Sequence, residues 1–172
     1  SNFKISERSN LFGWGFKKGN GPELLNLTNG LKFIPLICYE AIFPNFIKPS
    51  VQNADFILQI TNDAWFGKSI GPQQHLAQLR IRAIEYGLPV IRAANTGITA
   101  IIDANGKVVE NLSVNKSGFL DSFIPSRKKS TLYGLFGDLI FLSLILLTSS
   151  VAFINKKFIN HKKSKIRFNK QK

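Results

Sequence analysis

Apolar residues in this chain fall in short runs bounded by glycine, proline and asparagine as far as about residue 130, and then in one long stretch. Residues 1–30 are turn-rich, punctuated by Gly13, Gly15, Gly19, Gly21-Pro22 and Asn29-Gly30. Leu24-Leu25 and Leu27 are expected to pair as an edge hairpin leading into the run Phe33, Ile34, Leu36, Ile37, which has strand character and ends at Cys38. Ala41 to Pro49 reads as a short helical or irregular piece broken by Pro44 and Pro49. Ala54 to Ile60 is a second strand, running directly into Thr61-Asn62-Asp63-Ala64-Trp65-Phe66-Gly67. From Gly71-Pro72 to Tyr86 the period becomes helical, with Pro72 in the first turn and Gly87 and Pro89 as the stop. Leu76, Leu79, Ala83 and Tyr86 form its core face, and Arg80, Arg82 and Glu85 are expected off it. Pro89 to Ala93 is a third strand. Ile98 to Ile102 and Lys107 to Val109 follow as a hairpin through Asp103-Ala104-Asn105-Gly106, a turn suited to positive φ. Gly118 to Ile124 reads as a last strand closed by Pro125.

Strand, strand, helix, strand, hairpin, strand is an α/β order with a mixed sheet. Strands this apolar need layers packed against them, yet only one good helix is available to cover them. The expected architecture is therefore a partial sandwich over residues 1–130. Leu135 to Ile154 follows, long enough to cross a membrane if Asp138 sits at the interface and caps the helix. The expected organisation is an α/β unit over 1–130, a membrane helix within 131–154 and a basic tail over 155–172.

The charge sharpens this division. The net charge of +13 suggests nucleic acid at first sight, but residues 155–172 alone carry eight basic residues and no acid. The excess is a tail behind an apolar segment, which is a topology signal. Eight positive charges after the span against Arg127, Lys128 and Lys129 before it place the C-terminus on the cytoplasmic side. The tail also suits anionic lipid head groups. Nucleic acid is not expected as a partner. One cysteine rules out an internal disulfide, and two separated histidines, His75 and His161, offer no metal site. The sequence contains no methionine, so either an initiator was trimmed before Ser1 or the chain is a piece of a longer one. Ser1 to Asn10 has no apolar core of the signal-peptide kind.

The candidate chemistry centres on Leu36-Ile37-Cys38-Tyr39-Glu40. A thiol where a buried strand emerges into a turn is held by rigid backbone while the loop beyond can shape a pocket, which suits a nucleophile. A lone cysteine on an apolar strand is more often a small buried hydrophobe than a catalytic group.

Three stretches decide between these. They are Leu36-Ile37-Cys38-Tyr39-Glu40, then Ile60-Thr61-Asn62-Asp63-Ala64-Trp65-Phe66-Gly67-Lys68-Ser69-Ile70-Gly71-Pro72 with Gln74-His75, and Arg92-Ala93-Ala94-Asn95-Thr96-Gly97-Ile98-Thr99-Ala100. Together they resemble the C-terminal part of the apolipoprotein N-acyltransferases, membrane-bound members of the nitrilase (carbon-nitrogen hydrolase) superfamily. The resemblance covers most of residues 11–154. It implies an αββα sandwich outside the bacterial cytoplasmic membrane, on the periplasmic side, and a Glu-Lys-Cys triad. In that chemistry the cysteine takes an acyl chain from a phospholipid as a thioester and passes it to the N-terminal amine of a diacylated lipoprotein. A glutamate shuttles the proton and a lysine holds the oxyanion. No cofactor and no metal are implied.

Cys38 matches the nucleophile. Tyr39 and Glu40 match the active-site neighbourhood, and the amide after Cys38 is placed to help bind the oxyanion. The family's glutamate and lysine precede the cysteine strand, and no residue among the 37 before Cys38 matches either motif. Lys17 and Lys18 resemble another part of the family, Glu7 and Glu23 have no supporting context, and Glu40 matches a different position from the base. The chain alone is therefore expected to lack acyltransferase activity unless a separately encoded N-terminal fragment docks onto it. Asn62 and Asp63 are expected as turn formers beside the cysteine. Trp65 and Phe66 line a lipid entry or belong to the core. His75 is expected to make a structural hydrogen bond, while Arg92 and Asn95 either orient the pocket or pack. Two other classes remain open. A nitrilase-type amidase would share the cysteine without needing a terminal span, and a non-catalytic membrane-anchored remnant would tolerate Cys38→Ser.

Overall fold

The computed structural model describes residues 23–169; Glu7, Lys17 and Lys18 lie outside them. Two compact units divide at Thr131. The first is built on a mixed six-stranded sheet whose strands follow one another in space as they do in sequence. Strands β1 (Leu25–Asn26) and β2 (Lys32–Ile37) form the expected antiparallel edge hairpin. Strands β2, β3 (Phe56–Asn62) and β4 (Val90–Asn95) run parallel. β5 (Thr99–Ile102) and β6 (Val108–Leu112) return antiparallel. The β5–β6 loop is set by Asp103, whose Oδ1 accepts from the amides of Asn105 (2.8 Å) and Lys107 (2.9 Å). Only Gly106 of the Asn-Gly pair takes positive φ there, at 77°.

The connections that make the parallel strands possible differ in kind. Between β2 and β3 the chain winds through three 3-10 helices, Cys38–Ile42, Pro44–Phe46 and Val51–Asn53, because Pro44 and Pro49 forbid a longer helix. Between β3 and β4 it makes α1 (Gly71–Tyr86), which ends at Gly87 with a left-handed φ of 64°. Leu79, Ala83 and Tyr86 are buried as expected, and Leu76 is half-buried. Arg82 corrects the expected pattern: it is buried on the packed side, where Glu85 one turn on meets its guanidinium at 2.8 Å and offsets the charge.

The two faces of the sheet differ. Ile34, Leu36, Ile57, Gln59, Val90, Arg92, Ala100 and Ile102 share the face toward α1, and all are buried. On the opposite face Phe33 and Phe56, cross-strand partners with rings 5.3 Å apart, are closed off near the strand starts. Further along that face Ile37 and Ile60, also partners, stand 59% and 57% exposed. Among the described residues no helix or second sheet covers them.

A last strand over Gly118–Ile124 does not form. That segment forms no regular element and joins no strand ladder, with Phe119 and Phe123 86% and 96% exposed. Its apolar pairs Phe119-Leu120 and Phe123-Ile124 ask for burial that no strand among the described residues supplies.

The second unit contains α2 (Leu132–Phe136), capped by Thr131 Oγ1 accepting from the Gly134 amide at 2.9 Å, and α3 (Leu139–Asn169). The apolar helix does not begin at Leu135, because Gly137 (φ 57°) separates α2 from α3. Asp138 accepts from the Tyr133 hydroxyl at 3.1 Å with its carboxylate. Within α3, Leu139–Lys156 has a mean hydropathy of 1.9 and none of it is buried. By length and composition this helix can cross a membrane.

Candidate active site

Strand β2 carries the backbone to the edge of the sheet and stops at Ile37. Cys38 then takes a φ of 51°, a left-handed conformation that costs an L-residue about 1 kcal/mol or more. The chain turns at once into the 3-10 helix Cys38–Ile42. Strain of this kind, at the junction of a strand and a tight helical turn, lifts a side chain off the sheet end and is the geometry of a nucleophile elbow. Cys38 as a residue is half-buried. Glu40 closes the elbow from within, its Oε2 accepting from the Ile37 amide at 2.7 Å. One oxygen of that carboxylate is thereby committed to backbone.

Cys38 lies at the C-terminal ends of three parallel strands, the edge at which open α/β sheets place their ligands. Asn62 ends β3 and Asn95 ends β4, and the two are cross-strand partners. Asn62 Oδ1 accepts from the Ala64 amide at 3.1 Å and so caps the 3-10 helix Asp63–Phe66. Both asparagines are exposed, and Trp65 is 86% exposed. The ring of Tyr39 turns toward α1 and packs 5.5 Å from that of His75. Tyr39, Phe66, Gln74 and His75 help line a cleft of about 360 Å³. The six residues expected at the site, Cys38, Tyr39, Glu40, Asn62, Trp65 and Asn95, thus lie on the segments that meet at one sheet edge. Tyr39 looks to the helix side.

Beneath the elbow is a buried polar cluster that the sequence reading did not assemble. Arg92, wholly buried, donates through NH1 to Gln59 Oε1, through NH2 to Asp63 Oδ2 and through Nε to the Ile98 carbonyl at 3.0 Å. Asp63 is therefore a buried ion-pair partner as well as a turn residue; its Oδ1 also meets His75 Nδ1 at 2.9 Å and accepts from the Thr61 hydroxyl at 3.2 Å. Gln59 Nε2 lies 3.1 Å from His75 Nε2 and donates to the Cys38 carbonyl at 2.8 Å. Burial pulls the Arg92 pKa below the usual arginine range, and the carboxylate of Asp63, with a smaller contribution from the nearby Cys38, works against that pull. Gly97 makes room for the cluster: a Cβ there would lie 2.7 Å from both Cβ and Cγ of Asp63. The signal available in the sequence was Gln59, a long polar residue between Leu58 and Ile60 in an otherwise apolar strand.

Residues 10–126 match the carbon-nitrogen hydrolase family. The chain is similar to the apolipoprotein N-acyltransferase of Rhizobium rhizogenes, 52% identical over 108 residues that make up 63% of this chain and 20% of that protein. It is also similar to the apolipoprotein N-acyltransferase of Rickettsia bellii, 43% identical over 147 residues, 84% of this chain and 30% of that protein. It therefore spans a fifth to under a third of the length of these curated relatives. Among solved structures the fold resembles a glutamine-dependent NAD+ synthetase from Acinetobacter baumannii (TM-score 0.52, 21% identity, 63% of this chain and 23% of that one). It also resembles a nitrilase-superfamily amidase from Nesterenkonia (TM-score 0.50, 18% identity, 66% and 44%).

Proposed function

Because this chain belongs to the carbon-nitrogen hydrolase family, we propose that it is the cysteine-bearing C-terminal part of an apolipoprotein N-acyltransferase. The observation that carries the reading is the elbow, Cys38 at positive φ on the carboxyl edge of three parallel strands. The thiolate attacks the ester carbonyl of a phospholipid, forming a C–S bond as the C–O bond breaks, and the departing lysophospholipid oxygen takes a proton. The N-terminal amine of a diacylated lipoprotein then attacks the thioester, forming the amide and releasing the thiolate while the amine proton passes to a base. The amide following Cys38 contributes to the oxyanion site. Tyr39, Glu40, Asn62, Trp65 and Asn95 shape the surroundings.

The base and the lysine come from outside the residues matched here. Support for this lies in the uncovered face around Ile37 and Ile60, on which the other half of an αββα sandwich would seat. That half, whether preceding this sequence in one chain or separately encoded, is the expected protein partner. Helix α3 anchors the unit in the bacterial cytoplasmic membrane, with the sheet on the periplasmic side and the basic tail in the cytoplasm. Trapping of an acyl thioester on Cys38 in membranes tests the proposal, with Cys38→Ser as control. Label is expected when this chain and the N-terminal half are present together, and none with this chain alone. Turnover by the chain alone would overturn the need for a second half. No label with both halves inserted would overturn acyl transfer.

A further inference from the structure

The hydrogen bonds around Gln59 fix one another, beginning from Arg92. A guanidinium only donates, so the Gln59 atom facing Arg92 NH1 is the carbonyl oxygen. The amide nitrogen of Gln59 is then the atom between the Cys38 carbonyl at 2.8 Å and His75 Nε2 at 3.1 Å. Its two protons serve these two neighbours only if His75 Nε2 is an acceptor. The imidazole proton must then sit on Nδ1, donated to Asp63 Oδ1 at 2.9 Å. The charges agree with this assignment. Asp63 and Arg92 already offset each other in a fully buried pair, so a neutral His75 leaves the cluster without excess charge. The other groups against the ring are Phe66, Tyr39 and the Arg92 guanidinium, one of whose terminal nitrogens lies 3.4 Å from His75 Nδ1; the closer Asp63 carboxylate, which can only accept, takes the Nδ1 proton.

We propose that Arg92, Asp63, His75 and Gln59 form a positioning relay whose output is the single hydrogen bond from Gln59 to the Cys38 carbonyl, and that this bond holds the nucleophile in its left-handed turn. The inference rests on reading Cys38 as the nucleophile. A positive φ on a non-glycine residue persists only where surrounding structure over-determines it. Glu40 supplies one restraint, ahead of Cys38 at the Ile37 amide, and Gln59 supplies the other at Cys38 itself. No hydrogen bond among the described residues joins the four relay residues to the thiol, although Arg92 is close enough to interact with it electrostatically. They act through the backbone of Cys38.

The relay makes two measurable statements about the full chain in detergent micelles. With only two histidines in the sequence, ¹⁵N-histidine labelling and a His75→Gln control assign the His75 signals. The expected result is a protonated Nδ1 and an unprotonated Nε2; an Nε2–H tautomer would overturn the proposal without any variant having to fold. The second readout is amide hydrogen exchange over Cys38–Ile42. Gln59→Glu keeps the acceptor for Arg92 but removes both donors, and should speed exchange in that turn about tenfold while β5 amides stay protected. His75→Gln retains an acceptor for Gln59 and should stay within about threefold of the parent, whereas His75→Leu should approach the Gln59 variant. An unchanged turn in Gln59→Glu, with the fold intact, refutes the relay. These readouts are independent of acyl transfer. A loosened turn with undiminished thioester formation would discard the positioning role and keep the acyltransferase. A protected turn with no thioester under any condition would do the reverse.

Discussion

The two faces of the sheet invert the usual ordering of residues. The buried face toward α1 holds Gln59, Thr61 and Arg92 with almost no exposure, while Ile37 and Ile60 on the other face are more than half exposed. Hydrophobicity alone would exchange these positions. The buried polar residues are tolerated because each finds partners, and the cost of removing them from water is offset by a closed hydrogen-bond cluster. The exposed isoleucines have no such compensation, and this is the observation behind the proposed docking of a second half on their face. One face is closed by a polar cluster beneath the cysteine; the other leaves two large apolar side chains exposed.

This contrast can be broken on either side. The largest effect is expected from Arg92→Met, which leaves the Asp63 carboxylate buried without its cation and should cost about 3–5 kcal/mol in a urea titration of the sheet unit. Full stability in that variant would mean that the cluster is not the closed system described. Gly97→Ala pushes a methyl into Asp63 and should cost about 1–3 kcal/mol by the same measurement. The uncovered face should respond differently. A double change, Ile37→Ser with Ile60→Ser, should alter the chain's own stability by about 1 kcal/mol or less. Co-purification with the N-terminal half should nevertheless fall steeply, and a double variant that associates normally would remove this face from the interface. Smallest of all, Phe123→Ser should change stability by no more than about 0.5 kcal/mol, given its 96% exposure. A larger loss would reveal packing of the 118–124 segment.

The strand end was legible in the sequence because the apolar run from Phe33 reaches Cys38, with Glu40 just beyond it and Pro44 and Pro49 breaking the segment that follows. The helix from Gly71 to Tyr86 was legible for similarly local reasons, proline at its start and glycine past its end. The relay was not, because its members lie on β3, the turn after it, α1 and β4. Gln59 meets Arg92 only through the cross-strand pairing that places them side by side, and no local pattern encodes that register. Arg82 was misplaced since a charged residue reads as solvent-facing until its Glu85 partner one turn away is considered. Phe119 and Phe123 misled in the opposite sense. Their spacing reports a demand for burial, and a strand forms only where another backbone meets it.

The positive φ at Cys38 also has a genetic side. At 51° the backbone would sooner accept glycine, which has no Cβ to crowd the preceding carbonyl. Cysteine codons become glycine codons by changing one nucleotide. A lineage for which the thiol had ceased to matter would therefore find an easier-folding allele within a single mutational step. The sulfur sits at a position where drift and folding both pull against it, so its loss to glycine would be the earliest genomic trace of an abandoned reaction.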